Sequence, residues 1–294
     1  MALASPERAT VYTNRIALAS AFSCALCGEM VSVLSQALLS QRVVPYQARS
    51  TGMDIQTLIA QLTALGLQHG DTVMVHSSFK SLGIRDPELI ILALLEALGD
   101  GGTLLMPALS YNQVPPDVHD TLLTPSCVGL LPEYFRLRAG TLRSVHPTHS
   151  VCGVGAEVHA WLDDHSEDHT PCGPHSPFCK LLHRAGKILM IGCGLRPNTT
   201  MHAVEEHAPP PYLFGEPCCY RITDAQRRTF TREYIRHGFR GAHQRYDRVA
   251  GLLSGEALVS GPLGNAQAYL IRGEALLEAA LPRLQADPWY FVDR

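Results

Sequence analysis

The stretch from Lys187 to Pro211, KILMIGCGLRPNTTMHAVEEHAPPP, leaves the backbone few options. Lys187 to Ile191 is an apolar run of strand length, and Gly192 and Gly194 bracket Cys193 where the chain must turn. Asn198, Thr199 and Thr200 are side chains that cap helix N-termini by accepting backbone N–H groups. Pro209, Pro210 and Pro211 cannot continue a helix. A buried strand, a glycine turn and a short helix form the unit of an open α/β sheet. A residue just past the strand, at the helix start, stands where such sheets place ligands. On this helix His202 is three residues from Glu205 and four from Glu206, so either carboxyl can share a face with the imidazole. A carboxyl beside an imidazole fixes its tautomer and stabilises its protonated form, as a general base requires. On a surface helix the same pair would be a minor ion pair.

The rest of the chain repeats that alternation. Apolar residues at 55, 58, 59 and 62 form a helical stripe ending at Gly66. Thr72 to Val75 reads as a strand, followed by His76-Ser-Ser-Phe-Lys-Ser-Leu-Gly83, a polar loop suited to a phosphate or another polar ligand part. Pro87 to Leu98 is a helix with proline in its first turn and Gly99 after its end, and Thr103 to Met106 is a strand. Residues 107 to 145 form a long loop-rich excursion holding one helix, Gly129 to Arg138; loops of this length are commonly functional. A small-residue strand, a helix at Ala156 to Asp163 and a helix initiated by His175-Ser-Pro177 lead to the opening stretch. After Pro211 come strands at Cys218 to Thr223 and Thr229 to Ile235, a loop and helix over Phe239 to Leu253, and a β-β-α ending. The tail holding Trp289 and Tyr290 is expected to dock on the body. Strands alternating with helices predict an α/β chain with three layers.

Residues 1–52 lack this pattern and are expected to be a poorly ordered N-terminal extension, with the core domain starting at Met53. Arg8, Arg15 and the apolar region Ile16 to Leu26 faintly resemble a signal peptide, but Glu7, Glu29, Cys24 and Cys27 fit one poorly. The core is expected as a large lobe over about 53–211 and a small lobe over about 212–294.

The net charge of −3 offers no basic footprint for nucleic acid. No apolar run approaches the roughly 18 residues of a membrane span. Nine cysteines, with Cys24 and Cys27 the one C-x-x-C pair, suggest reduced, cytoplasmic usage. Cys152, Cys172, Cys179 and the histidines between His146 and His183 invite a zinc reading, but their spacing matches no closed-site pattern, so no metal is expected. Cys193, in the glycine turn, is an alternative nucleophile.

These pieces together resemble the aminoglycoside 3-N-acetyltransferase (antibiotic N-acetyltransferase) family. The matching segments are Val75-His-Ser-Ser-Phe-Lys-Ser-Leu82, Gly101-Gly-Thr-Leu-Leu-Met-Pro107, Arg143-Ser-Val-His-Pro147, His175-Ser-Pro177, Ile188-Leu-Met-Ile-Gly192 and Asn198-Thr-Thr-Met-His202 with Glu205. They occur in the family's order over about residues 54 to 290. The resemblance implies an α/β/α sandwich with a smaller C-terminal α+β lobe and a cleft between, and acetyl-CoA as co-substrate. By the same resemblance Ser77, Ser78, Lys80, Ser81 and Gly83 form the coenzyme A-binding loop, His202 is the catalytic histidine and Glu205 its acidic partner. His175 lies at the cleft, and His146 and Pro147 form a structural or site-lining turn. Tyr111, Gln113 and Arg236 are expected on the acceptor side.

The family's resistance enzymes meet polycationic acceptors with acidic residues. Here Gln113 and Arg236 stand at two such places, leaving Asp117, Asp120 and Glu233. A guanidinium repels a polyammonium ligand, so a less charged amine, or one carrying its own acid group, fits this cleft better. The expected activity is acetyl-CoA-dependent N-acetylation of a small-molecule amine. The alternatives are an acyltransferase of natural-product biosynthesis using another acyl-CoA, and a non-catalytic acyl-CoA-binding homologue. A homodimer is allowed for.

Overall fold

The computed structural model describes residues 53–294. The expected extension over residues 1–52, with Cys24 and Cys27, lies outside the described residues. The chain forms α1 (Ile55–Ala64), β1 (Thr72–Ser77), α2 (Pro87–Leu98), β2 (Thr103–Pro107), β3 (Val118–Asp120), α3 (Leu130–Leu137) and β4 (Leu142–Arg143). Then follow β5 (Val151–Gly155), α4 (Val158–Leu162), α5 (Pro177–Leu181), β6 (Lys187–Ile191), α6 (Thr200–His207), β7 (Phe214–Thr223) and β8 (Thr229–His237). The chain ends with β9 (His243–Gln244), β10 (Leu258–Leu263), β11 (Ala266–Arg272), α7 (Gly273–Ala286) and β12 (Val292–Asp293). No helix among the described residues is long and apolar enough to cross a membrane.

The main sheet has seven strands in the order β10-β11-β6-β1-β2-β5-β4. β1 is parallel to both β2 and β6, while β11 and β5 run antiparallel to β6 and β2. Its central strands are buried on both faces, so their side chains alternate between two cores. Val73, Val75, Leu104, Met106, Leu189 and Ile191 pack with α1 and α2. Met74, Leu105, Ile188 and Met190 pack with Trp161, Phe178, Leu276 and Ala280 on the other side. Helices thus cover both faces, the α/β/α sandwich expected from the alternation.

Local chemistry sets the helix starts. Asp54 accepts from the Thr57 N–H at 2.7 Å and Asp86 from the Glu88 N–H at 2.9 Å, with Pro87 at the first helical position. Gly155 closes β5 at φ +135°, and a Cβ there would lie 2.2 Å from the Gly102 carbonyl oxygen and 2.6 Å from Thr103 Cα. Backbone cannot yield as a flexible side chain can. Gly155→Ala is therefore expected to cost about 1–3 kcal/mol or more, seen as a lower urea midpoint with unchanged slope.

A second sheet, β3-β7-β8, carries its own small core of Tyr220, Ile222 and Tyr234. Three findings depart from the sequence reading. β3 forms within the expected loop-rich excursion, paired in parallel with β7. Phe239 to Leu253 holds short 3-10 turns rather than an α-helix, with Phe239 and Arg240 at positive φ. Finally, β10 and β11, expected with the small lobe, extend the main sheet, because the backbone edge of β11 pairs antiparallel with β6 from Ala268↔Ile191 to Arg272↔Lys187. The aromatic tail docks as expected: β12 pairs with β9, and Trp289 lies 5.3 Å from the Tyr212 ring.

Candidate active site

β1 and β6 run side by side and end together, with Ser77 opposite Ile191. The Ser78 N–H donates to the Ile191 carbonyl at 2.8 Å, tying the two following turns to each other. Gly192 and Gly194 take φ +65° and +66°, which an L side chain resists, and a Cβ on Gly192 would sit 1.8 Å from Ser81 Oγ. Ser81 Oγ itself donates to the Ser78 carbonyl at 2.7 Å. The glycine turn thus lets the serine loop close on the start of the site helix. Of the three expected capping residues, Asn198 does the work: its Oδ1 accepts from the Thr200 N–H at 3.1 Å.

A cavity of about 740 Å³ opens over the N-terminal end of α6, beneath β7 and β8 of the small sheet. His202 lines it, its side chain 12% exposed, and Glu205 lies wholly buried behind, 0% exposed. His202 Nδ1 is 3.0 Å from Glu205 Oε2. The Tyr246 hydroxyl donates to the same oxygen at 2.7 Å and sits 2.8 Å from Nδ1, while the Tyr212 hydroxyl donates to Oε1 at 2.7 Å. Burial, and then the neighbouring Glu205, push both phenols up, so they remain donors. With the carboxyl accepting from all sides, Nδ1 carries the ring proton and Nε2 keeps its lone pair.

Glu206 is occupied elsewhere. It accepts from the Cys172 N–H at 2.8 Å and from the Thr170 hydroxyl, and pairs with His237 Nε2 at 2.8 Å. Burial pushes its carboxyl up to about 7, against the pull of those hydrogen bonds. Of the two acids left open by helical spacing, Glu205 is the one on the His202 ring. His149 and His237 share the cavity wall, both pushed well below the usual histidine value by burial and then by neighbouring imidazoles.

A smaller cavity of about 90 Å³ adjoins the first, sharing Val128, Cys193, Pro197 and Thr199 with it, and reaches His76 and Ser77 at the end of β1. Burial, and then His202, lower His76 to about 3, so its ring is neutral. Ser77 Oγ in this small cavity and Asn198 Nδ2 at the large one are buried without a hydrogen-bond partner. Cys193 spans both cavities, but burial raises its thiol, which disfavours the thiolate a nucleophile needs.

The structure brings His202, Tyr111 and Arg236 to the large cavity and Ser77 to the small one. Ser78, Lys80, Ser81 and Gly83 form the adjoining turn without lining either cavity, and Lys80 is exposed. Two expectations need correction. His175 is not a lining residue, because Asp168 Oδ1 holds its Nδ1 at 3.0 Å. Gln113 does not line the large cavity either, its amide bonded to His119 Nδ1 at 3.3 Å and to the Pro116 carbonyl at 3.3 Å. His146 is fully buried, its Nδ1 accepting from the Thr148 and His149 N–H groups, so it shapes the turn that carries His149. Sequence reasoning missed Tyr246, His149 and His237. No spacing rule links them to His202, and the chain's fourteen histidines are the one sign available.

A model of the family described as Aminoglycoside 3-N-acetyltransferase matches residues 74–285. Aminoglycoside N(3)-acetyltransferase VII of Streptomyces paromomycinus is 35% identical over 186 residues, 55% of this chain and 64% of its own length. The chain therefore spans less than two thirds of that relative. A solved binary complex of AAC-IIIb with CoASH superposes with a TM-score of 0.69 at 28% identity, covering 80% of this chain and 97% of its own. A mutant of aminoglycoside acetyltransferase AAC(3)-IVa in complex with a gentamicin superposes at 0.71 and 29% identity, covering 84% and 94%.

Proposed function

This chain belongs to the aminoglycoside 3-N-acetyltransferase family, and from that premise we propose that it is an acyltransferase moving the acetyl group of acetyl-CoA to an amine of a small molecule, with His202 as general base. The observation that carries the reading is the His202–Glu205–Tyr246 network at the wall of a cavity that continues to Ser77.

An acceptor amine is mostly protonated near neutral pH and must lose a proton before it can attack. His202 Nε2 takes that proton, while Glu205 Oε2 receives Nδ1–H and steadies the imidazolium. The amine nitrogen then bonds to the thioester carbonyl carbon, the carbon–sulfur bond breaks, and the nitrogen's remaining extra proton passes to water. Coenzyme A leaves as a thiolate, needing little acid help because an ordinary thiol has a pKa of about 8.5. The oxygen that gathers charge between those steps needs donors. We assign that role to Ser77 Oγ at the small cavity and Asn198 Nδ2 at the large one, both buried and otherwise unbonded. The turn of Ser78, Lys80, Ser81 and Gly83 would hold the polar part of coenzyme A, a role supported by the CoASH-bound relative.

The gentamicin-bound relative supports an aminoglycoside-type acceptor. A second reading rests on charge: the residues lining the large cavity include Arg196 and Arg236 and no aspartate or glutamate. Like charges about 4 Å apart cost on the order of 1 kcal/mol in water and more where water is excluded. An amine that carries its own acid group meets attraction at the same place. Thiol release from acetyl-CoA with a panel of amines tests both readings. Acid-bearing amines are expected to outrun gentamicin-type polyamines, and Arg236→Glu to shift the preference towards polyamines by about tenfold or more, as roughly 1.4 kcal/mol would. A wild-type protein that prefers gentamicin retains the aminoglycoside reading and ends the charge argument. Slow or absent release with every amine favours the acyl-CoA-binding homologue, and release with another acyl-CoA alone favours the biosynthetic acyltransferase.

A further inference from the structure

His149, His202 and His237 lie together at the cavity wall, with one potential ligand atom from each within 4.8 Å of the others. In each ring one nitrogen is already engaged. His202 Nδ1 faces Glu205 and Tyr246, His237 Nε2 faces Glu206 at 2.8 Å, and His149 Nδ1 faces Thr148 Oγ1 at 2.9 Å. The nitrogens left over are His202 Nε2, His237 Nδ1 and His149 Nε2. His237 Nδ1 is buried with no partner, on a side chain only 2% exposed. A histidine whose far nitrogen is held by a carboxyl is how proteins aim imidazole at a metal ion, and two of these three have that support.

We infer that His149, His202 and His237 form a binding site for one divalent transition metal ion of zinc's class. Three neutral nitrogen donors, with the cavity side left open, match a three-ligand zinc site and do not suit oxygen-seeking magnesium or calcium. Zinc–nitrogen bonds of about 2.0–2.1 Å in a tetrahedral set place the nitrogens about 3.4 Å apart. One nitrogen of each ring, Nδ1 or Nε2, lies within 4.8 Å of the others, so such a trio reaches that spacing by closing at most about 1.4 Å. The ion occupies His202 Nε2, the atom that serves as the base, so a metal-loaded protein does not transfer acetyl groups. That last clause rests on the proposed function; the binding itself does not.

A second trio, Cys179, His183 and His207, could compete for the same ions. The His183→Ala background removes it. In that background, cobalt(II) added to chelator-treated protein is expected to give one equivalent of bound ion with visible d–d bands and no sulfur charge-transfer band. His149→Ala or His237→Ala, checked for native circular dichroism, is expected to abolish the bands. Glu206→Gln, which keeps the ligands, is expected to weaken binding by about 10–100-fold. Bands that survive His149→Ala or His237→Ala, or no bound cobalt in the His183→Ala protein, overturn the inference. Zinc should also halt thiol release reversibly, with recovery on adding chelator. If cobalt binds as described but no amine is ever acetylated, the metal site stands and the acetyltransferase reading fails.

Discussion

His202→Ala is expected to lower acetyl transfer by about 10²–10⁴-fold, the usual contribution of a positioned general base, while coenzyme A still binds with nearly unchanged affinity. The two effects separate because the imidazole faces the acceptor cavity, whereas the serine-bearing turn after β1 is closed by its own hydrogen bonds to Ser78 and Ile191. The loss should shrink at high pH, where the free amine no longer needs a base. Initial rates across pH, with calorimetry for coenzyme A, make the check. An alanine variant that turns over at the wild-type rate near neutral pH would remove His202 from the mechanism.

Glu205→Ala is expected to damage stability and turnover together. Its carboxyl is fully buried and accepts from Tyr212 Oη, Tyr246 Oη and His202 Nδ1. Alanine leaves two buried phenols without an acceptor. At about 1–3 kcal/mol for each stranded group, the loss comes to about 2–6 kcal/mol, a large share of the roughly 5–15 kcal/mol that holds a domain folded. Below its lowered melting point the variant should still be slow, because Nδ1–H has lost the partner that fixes the tautomer. Glu205→Gln keeps one carbonyl oxygen and should fall between the two in stability. Urea unfolding midpoints set beside thiol-release rates decide the matter, and an alanine variant as stable as the parent would show the network to be dispensable.

What could be read from the sequence was local. The run Lys187 to Ile191, the two glycines after it and Asn198 specify a strand, a turn and a cap through their own chemistry, and all three form. Helical spacing put His202 beside Glu205 or Glu206, and the choice between them needed the third dimension. Glu206 faces residues from α5's approach and from β8, and nothing in its own neighbourhood of the chain announces that. Tyr246 reaches the site across 44 residues, on a 3-10 turn whose sequence suggested a helix. His175 and Gln113 miss the cavity for a related reason: a polar side chain near a cleft can bond to a neighbour instead of facing the cleft, as these do here with Asp168 and His119. β3 is three residues long, below the length at which alternation carries information, and it exists because β7 offers it a partner.

The antiparallel pairing of β11 with β6 also bears on how the molecule is made. β6, which leads into the glycine turn of the proposed site, is translated long before residues 266–272 emerge from the ribosome. Until then the nascent chain presents an apolar strand with one unpaired edge, open to wrong partners or to a chaperone. Nonsense truncation between Tyr246 and β11 would thus abolish the proposed activity even though every residue of the acetyl-transfer site proposed here had already been synthesised.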